Sequence, residues 1–267
     1  MSYIGKSVRL ERIMNRKTRR TVIIPMDHGL GAGTLPGLEN MAKIVDEVAE
    51  GGANAVIEHA GMAAAGHRGG GRDIGLIIHL TGATSLAPDP NYKVTVCSVE
   101  DALRMGADGV SIHINIGADD EPQMLMAAQQ VVSSCRAWGM PILGMLYPRG
   151  KKIQKETSPD VVNIAARAGA ELGMDIVKTN YTGDIESFRK IVKGTQVPVI
   201  IAGGPKMDTT EDVFRMIYDA VIEAGAMGVA MGRNVFQSKN PRAMVSAICK
   251  IVHDNYTVEE VLKEYSA

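Results

Sequence analysis

Cysteine and long apolar runs are both scarce in this chain. Its three cysteines, Cys97, Cys135 and Cys249, lie far apart and form no CxxC pair. This argues against a disulfide framework or a cysteine-based zinc site and fits a reducing cytosol. The charged N-terminus lacks the apolar core of a signal peptide, and no apolar run is long enough to span a bilayer. We therefore expect a cytoplasmic protein that does not contact membranes.

Aromatic residues are also few, which indicates how the core is built. They make up 4% of the 267 residues, whereas hydrophobic residues make up 45%. The apolar mass is therefore mainly Ala, Val, Ile, Leu and Met, as is typical of parallel strands covered by helices. The formal net charge is −1, so no overall basic surface for nucleic acid is expected.

Residues 1–20 are the one clearly basic stretch. Between positions 6 and 20, seven basic residues stand against one acidic residue. The apolar residues among them have helical spacing and predict a short amphipathic helix packed under a barrel or in a subunit contact; these are Val8, Leu10, Ile13 and Met14. A nucleic-acid-binding arm is the alternative, but no aromatic platform accompanies the charge.

From residue 21 onward, short apolar runs alternate with segments of helical periodicity. The exception is Ala60–Asp73, which is rich in Gly, Ala, His and Arg and predicts a loop. Strands that alternate with helices form a parallel sheet, and eight units in about 250 residues predict a single α/β domain, a (β/α)8 TIM barrel over residues 21–267. A doubly wound open sheet is the alternative, but no GxGxxG follows the first run. The eight runs are Thr21–Met26, Ala55–Glu58, Gly75–Leu80, Gly109–Ile114, Pro141–Leu146, Asp175–Val177, Pro198–Ala202 and Gly228–Met231.

Glycine turns follow the seventh and eighth runs, at the end of the barrel where chemistry takes place. Gly203-Gly204 and Gly232-Arg233 would let backbone N–H groups approach a phosphate, and the arginine would add a forked charge. These residues predict a phosphate site. The alternative is that the glycines are ordinary turns and that Arg233 pairs with a nearby carboxylate.

A lysine, Lys178, ends the sixth run. A buried amine is costly unless it is paired or neutral, so Lys178 is either a paired core residue or a nucleophile that attacks a carbonyl. A Schiff-base mechanism also needs proton-transferring groups, and Tyr147 and Asp27 end other runs on the same rim. Alone, Tyr147 could be a packed aromatic residue, and Asp27 could be a cap or turn residue.

Two other kinds of function could be carried out by residues at the same ends of the predicted strands. Three histidines could bind Zn²⁺ and polarise a carbonyl without a lysine, but no HxH or HExxH spacing is present. A phosphosugar-binding regulator would bind its ligand without turnover, and the presence of all three proposed catalytic groups argues against it. The histidines that end the first four runs are His28, His59, His79 and His113.

Taken together, the motifs resemble those of the archaeal-type class I aldolase family, over nearly the whole chain from about Gly5. The stretches that carry this resemblance are Pro25-Met-Asp-His-Gly29, His67-Arg68-Gly69, Tyr147-Pro-Arg-Gly150, Asp175-Ile-Val-Lys-Thr179, Tyr181-Thr-Gly-Asp184, Ala202-Gly-Gly-Pro205 and Gly232-Arg-Asn234.

The resemblance implies a (β/α)8 barrel that forms a Schiff base on Lys178 and needs no metal or other cofactor. It implies that Tyr147 donates a proton and that Asp27 accepts one. It also implies small phosphorylated keto-sugar and aldehyde substrates, and a homo-oligomer built from pentamers, commonly a decamer. The implied substrate contacts are Asp27, His28, Gly29, Leu30, Gly31, Tyr147, Pro148, Arg149, Lys178, Gly203, Gly204, Gly232 and Arg233.

The family has two branches that differ in substrate. One cleaves fructose 1,6-bisphosphate and carries a bulky Trp before the tyrosine, where this chain has Gly144-Met-Leu146. The other, the 2-amino-3,7-dideoxy-D-threo-hept-6-ulosonate synthases, transfers a three-carbon fragment from 1-deoxy-D-threo-hexo-2,5-diulose 6-phosphate to L-aspartate semialdehyde, on a route to 3-dehydroquinate and aromatic amino acids. The segment Ile74–Gly82 also resembles the synthase branch, which is therefore the expected one.

Overall fold

The computed structural model describes residues 4–66 and 71–265. Each of the eight predicted runs overlaps one strand of a closed parallel barrel, so the (β/α)8 prediction is confirmed. The strands in chain order are β1 (Thr21–Pro25), β2 (Ala55–Glu58), β3 (Gly75–His79), β4 (Thr81–Gly82), β5 (Val94–Thr95), β6 (Gly109–Ile116), β7 (Ile142–Pro148), β8 (Ile176–Thr179), β9 (Val199–Ala202) and β10 (Gly228–Ala230). Around the barrel the order is β1-β10-β9-β8-β7-β6-β3-β2.

Helices cover the outside of the barrel. A π-helical turn, Asp219–Glu223, directly follows the ninth of these helices. A large apolar core lies between these helices and the outer faces of the strands. The helices are α1 (Ile4–Ile13), α2 (Gly29–Ala32), α3 (Met41–Gly51), α4 (Ala60–Gly66), α5 (Val99–Arg104), α6 (Glu121–Trp138), α7 (Pro159–Leu172), α8 (Ile185–Thr195), α9 (Thr210–Tyr218), α10 (Arg233–Phe236), α11 (Pro241–Asp254) and α12 (Val258–Tyr265).

Helix α1 closes the end of the barrel where the strands begin. Ile13 and Met14 are buried in the cluster that fills the barrel interior. The basic side chains of the helix pair with acidic residues at strand starts: Arg12 Nε lies 2.5 Å from Asp108, and Lys6 Nζ lies 2.9 Å from Asp175. The charge of this stretch therefore has partners within the chain.

Two local predictions were wrong or incomplete. A loop was predicted over Ala60–Asp73, but its first half is helix α4. The alanines of this segment favour a helix, and Ala63 is buried against the core. Residues 67–70 lie outside the described part of the chain. The predicted runs also missed β4 and β5, an antiparallel ribbon of two residue pairs above β3. Such short strands have too few residues to show a periodic pattern.

The alternation of side chains along the strands sets which residues face the interior. Ile176 belongs to the interior cluster, and Lys178, two residues further along β8, points the same way. In β7 the same alternation runs through Met145 to Tyr147. Register places Lys178 beside Met145 of β7 and Ile200 of β9. The barrel therefore changes from apolar to polar along its axis, towards the strand ends.

Candidate active site

A cavity of about 250 Å³ opens at the carboxyl ends of the barrel strands. Eleven of the thirteen predicted substrate contacts line it: Asp27, His28, Leu30, Gly31, Tyr147, Arg149, Lys178, Gly203, Gly204, Gly232 and Arg233. The remaining wall includes His59, His79, Thr81, Lys93, His113 and Asn180. One cavity therefore brings together the proposed nucleophile, both proposed proton-transfer groups and the proposed phosphate loops.

Lys178 is buried and has no ionic partner in the part of the chain that the structure describes. Its exposure is 6%, and it forms no hydrogen bond or ion pair with any residue in the described part of the chain. A lysine placed in a core for stability would be expected to have a carboxylate partner, because an unpaired buried charge is costly. The geometry therefore favours an amine that is available to react over a paired core residue.

Asp27 lies just beyond β1, within a group of positively charged or titratable side chains. Its carboxylate is 3.7 Å from His28 Nδ1 and 3.8 Å from His79 Nε2. His79 is buried, and its Nδ1 lies 2.8 Å from Ser111 Oγ, which fixes the ring. His59 Nδ1 lies 3.2 Å from the backbone oxygen of His79. The histidines thus surround and orient the carboxylate.

The charge of Asp27 follows from two opposing effects. Burial would raise its pKa, but the positive charges of His79, His28 and Lys178 outweigh burial and lower the pKa of Asp27 to about 2. Burial also lowers the pKa of His79 to about 4, more than the Asp27 carboxylate raises it. His79 is therefore neutral at pH 7, where Asp27, with its lowered pKa, is ionised.

Tyr147 ends β7 with its ring held on two sides. The ring is 7% exposed, packs edge-on against His113 at 5.0 Å between centroids, and has the Arg149 guanidinium carbon 5.1 Å from its own centroid. His113 Nε2 in turn lies 2.8 Å from Asn115 Oδ1. The phenol is therefore fixed at the cavity wall, where it can exchange a proton with a bound molecule.

The glycine turns after β9 and β10 stand side by side. Gly204 has a φ of +65°, which favours glycine, and a Cβ on Gly232 would come within 2.6 Å of His28 and of the Pro25 oxygen. Buried Asn234 ties the turns together, because its Nδ2 donates to the oxygen of Gly203 at 3.0 Å. The loops therefore keep one fixed spacing.

Arg233 projects from these turns without a carboxylate partner. Its Nε is buried and has no hydrogen-bond partner, and it forms no ion pair within residues 4–66 and 71–265. The described residues therefore do not support the alternative in which Arg233 pairs with a nearby carboxylate. A guanidinium without a carboxylate partner, beside glycine turns that line the same cavity, suits a phosphate.

Two predicted contacts lie outside the cavity wall. Gly29 begins α2 and lines a neighbouring apolar cavity instead, because the chain turns away after His28. Pro148 is buried at the end of β7, where it pairs with Ile116 of β6. Neither residue is brought to the cavity by the conformation seen here.

Lys93 and Asn180 are wall residues that the sequence analysis did not single out. Asn180 follows Lys178 by two residues, so strand alternation could have found it. Lys93 lies in the connection that contains the short ribbon, where no periodic pattern pointed to the cavity.

Among the described residues, no three His, Cys, Asp or Glu side chains are arranged to hold a metal ion. None of the described helices is long and apolar enough to cross a membrane.

The burial of His79 predicts a pH dependence of stability. Its folded pKa of about 4 lies below the ordinary value of 6.5, so the unfolded chain takes up a proton at this residue as the pH falls below 6.5, whereas the folded protein does so only near pH 4. This difference should cost about 2 kcal/mol of unfolding free energy between pH 7 and pH 5.

A His79→Asn variant, which can keep the contact to Ser111, should lose that part of the pH dependence. Urea unfolding of both proteins at pH 7 and pH 5 measures it. Groups that do not interact with His79 contribute equally to the two proteins and cancel. An equal loss of stability in the variant would show that His79 does not carry this effect.

Known proteins resemble this chain in sequence over almost its whole length. The 2-amino-3,7-dideoxy-D-threo-hept-6-ulosonate synthase 1 of Archaeoglobus fulgidus is 43% identical over 262 residues, which cover 97% of this chain and 95% of that protein. The 2-amino-4,5-dihydroxy-6-oxo-7-(phosphonooxy)heptanoate synthase of Streptomyces griseus is 37% identical over 253 residues, with 95% and 92% covered.

Solved structures share the fold in detail. A Schiff-base-forming fructose-1,6-bisphosphate aldolase, studied through its reaction intermediates, superimposes with a TM-score of 0.86 at 32% identity, over 93% of this chain and all of that one (100%). The model of the DeoC/LacD family of aldolases matches residues 21–238. The family expected from the motifs is thus confirmed by sequence and by fold: the chain belongs to the DeoC/LacD aldolases.

Proposed function

We propose that the chain is a Schiff-base transaldolase, a 2-amino-3,7-dideoxy-D-threo-hept-6-ulosonate synthase. It transfers a three-carbon ketol fragment from 1-deoxy-D-threo-hexo-2,5-diulose 6-phosphate to L-aspartate semialdehyde. The observation that carries the proposal is the buried Lys178, which has no ion pair among the described residues and shares one cavity with Tyr147 and Asp27. The full-length similarity to the Archaeoglobus synthase supports the choice of substrates.

The chemistry of the relatives' products supports the same acceptor. Both names describe a seven-carbon chain with a 2-amino group, a carboxyl group at one end and a keto group at carbon 6. Cleavage of the bond between carbons 4 and 5 of either product, the reverse of an aldol addition, gives a three-carbon ketone and a four-carbon amino-acid aldehyde. That aldehyde is aspartate semialdehyde.

The first half of the reaction forms and cleaves the Schiff base. The Lys178 amine attacks carbon 2 of the donor. The carbonyl oxygen takes up one proton from the attacking nitrogen and one from Tyr147, and it leaves as water to give the protonated Schiff base. Asp27 then takes the proton of the hydroxyl group on carbon 4. The bond between carbons 3 and 4 breaks, its electron pair forms an enamine on the lysine, and a phosphorylated dicarbonyl leaves.

The second half reverses these steps with the new aldehyde. The enamine carbon attacks the aldehyde carbon of L-aspartate semialdehyde, and the aldehyde oxygen takes the proton back from Asp27. Water then adds to the iminium and releases the product together with the free Lys178 amine, and the remaining proton returns to the Tyr147 phenolate. Asp27 ends in its original charge state, so one carboxylate serves both halves.

The phosphate of the donor binds at the paired glycine turns. Gly203, Gly204 and Gly232 line the cavity, and Arg233 supplies a guanidinium that no carboxylate of the described residues occupies. Asn234 holds the two turns at one spacing. The phosphate thereby anchors the sugar while Lys178 attacks its carbonyl.

A side-by-side assay tests this assignment of substrate. We expect the protein to form a seven-carbon amino acid from the diulose phosphate and L-aspartate semialdehyde with a higher kcat/KM than it cleaves fructose 1,6-bisphosphate. Chromatography with mass detection measures both products in the same preparation. Efficient cleavage of fructose 1,6-bisphosphate without condensation would overturn the proposal.

Cleavage of fructose 1,6-bisphosphate is the second candidate function. It is supported by the 32% identity to the structurally similar aldolase and by cationic residues on both sides of Lys178, Arg233 on one side and Arg149 on the other, which could hold two phosphates. The absence of Trp from Gly144–Leu146 favours the synthase over this candidate.

We also propose the setting in which this reaction takes place. The chain works in the cytoplasm as a homo-oligomer built from pentamers, commonly a decamer, and uses no cofactor besides the Lys178 Schiff base. Residues 21–267 form the catalytic barrel, and residues 1–20 are an extension that supports it through α1. Native mass spectrometry of the purified protein tests the oligomer.

A further inference from the structure

Strand β6 carries polar side chains on the face that points into the barrel. Side chains alternate along a strand, and Ile112 and Ile114 lie in the outer core beneath the helices. Ser111, His113 and Asn115 therefore face the interior, above the apolar cluster that fills it. A buried polar group is costly unless it is hydrogen-bonded, so the partners of these side chains indicate what they do.

Asn115 forms two hydrogen bonds that fix its amide. Its side chain is fully buried. Its Nδ2 donates to the backbone oxygen of Asn91 at 2.6 Å, and its Oδ1 lies 2.8 Å from His113 Nε2. A backbone oxygen can only accept a hydrogen bond, so the amide has one orientation, and His113 Nε2 has to be the donor to Oδ1. His113 therefore carries a proton on Nε2.

The surroundings of His113 keep a second proton off the ring. Burial, and then the positive charge of Arg149, lower the pKa of His113 well below its ordinary value, and His79 and Lys93 act in the same direction. The backbone N–H of His113 also donates to Thr81 Oγ1 at 2.9 Å, which holds the strand at this point. The ring is therefore neutral, with its single proton directed at Asn115.

Tyr147 packs against this fixed ring. Register places Asn115 beside Tyr147 in the pair of β6 and β7. The ring centroids of His113 and Tyr147 are 5.0 Å apart and their planes are inclined at 75°. The Tyr147 hydroxyl forms no hydrogen bond with any residue in the described part of the chain. Its place at the cavity wall therefore depends on how its ring is packed, and His113 forms one side of that packing.

We propose that Asn115 is a positioning residue for the proton donor. By holding the His113 ring in one tautomer and one orientation, it keeps the Tyr147 hydroxyl where the carbonyl oxygen of the bound sugar can take its proton. Asn115 does not line the cavity itself, so it acts through His113, which does. This inference rests on the proposed function, in which Tyr147 serves the formation and hydrolysis of the Schiff base and Asp27 serves the cleavage of the carbon–carbon bond.

A double-mutant cycle separates this role from a general structural one. Asn115→Leu keeps the branched shape of the side chain but removes both hydrogen bonds. It should lower kcat ~10- to 100-fold, because a small displacement of a catalytic group has an effect of that size, and leave the KM for the diulose phosphate as in the wild type. Tyr147→Phe should itself lower kcat ~10²-fold or more. With Phe at position 147, Asn115→Leu should lower kcat by less than about threefold, because the hydroxyl that it positions is already gone.

Ser111→Ala is the matched control from the same face of β6. It removes the partner of His79, which lies beside Asp27. Its effect on kcat should therefore be the same in the wild type and in Tyr147→Phe. An equal loss from Asn115→Leu in both backgrounds, or no loss in the wild type, would overturn the inference. A wild type in which borohydride traps no fragment on Lys178 would instead refute the proposed function, and the inference with it.

A measurement on the wild type makes the test independent of how well the variants fold. Solid-state ¹⁵N NMR of protein labelled at histidine distinguishes a ring nitrogen that carries a proton from one that does not. The signals of His113 are assigned by their absence from a His113→Phe variant. They should show a proton on Nε2 alone from pH 6 to pH 8. A proton on Nδ1, or on both nitrogens, would contradict the role given to Asn115.

Discussion

Replacing Lys178 with Met should abolish turnover while leaving the fold intact. Without the amine no Schiff base can form, and loss of a covalent nucleophile lowers kcat ~10⁴-fold or more. Methionine fits the same buried position between Met145 and Ile200 and breaks no ion pair among the described residues. The thermal midpoint should therefore not fall. Stopped assays of condensation check the loss of turnover, and near-ultraviolet circular dichroism checks the fold and its thermal midpoint.

Lys178→Arg provides the matched control for charge. It keeps a cation near Asp27 but offers no amine that can attack a carbonyl at neutral pH. It should be as inactive as Lys178→Met. Substantial activity in either variant would show that the reaction does not pass through this lysine.

Replacing Asp27 with Asn should lower kcat ~10²- to 10⁴-fold, the usual effect of losing a general base. The amide keeps the shape of the side chain beside His28 and His79 but cannot take a proton from the hydroxyl group of the sugar. Because the pKa of Asp27 is about 2, the wild type holds this base ionised throughout the neutral range. The loss in the variant should therefore be nearly constant from pH 6 to pH 8.

The step that Asp27→Asn blocks can be read from the trapped intermediate. The variant should still form the Schiff base, because Lys178 and Tyr147 remain. It should then hold the uncleaved six-carbon phosphate on the lysine, whereas the wild type holds the three-carbon fragment. Mass spectrometry after borohydride treatment separates the two. A three-carbon adduct in the variant would show that another group removes the proton.

The barrel and most of its catalytic rim could be predicted because they follow from a repeated pattern. Strand alternation and helix spacing place Lys178, Tyr147 and Asp27 at the ends of three strands, and a closed parallel barrel directs such ends to one cavity. The lack of an ionic partner for Lys178 and Arg233 among the described residues could not be predicted, because it depends on where the carboxylates lie in three dimensions.

Other parts of the site depend on contacts that no periodic pattern describes. Lys93 reaches the cavity through a ribbon of two residue pairs, which Asn115 and Leu80 fix to the barrel. From the sequence, a metal site on the histidines of the first strands was a less favoured alternative; in the structure His79 and His28 lie beside the Asp27 carboxylate. Helix α4 was missed because a Gly- and Ala-rich segment is ambiguous until its buried face is known.

The most direct measurement is to trap the covalent intermediate. The wild type is incubated with 1-deoxy-D-threo-hexo-2,5-diulose 6-phosphate, reduced with borohydride, digested, and sequenced by mass spectrometry. The account predicts one modified residue, Lys178, which carries the three-carbon fragment and loses it when L-aspartate semialdehyde is added before reduction. An unmodified Lys178 in a protein that turns over, or a fragment on another lysine such as Lys93, would contradict it.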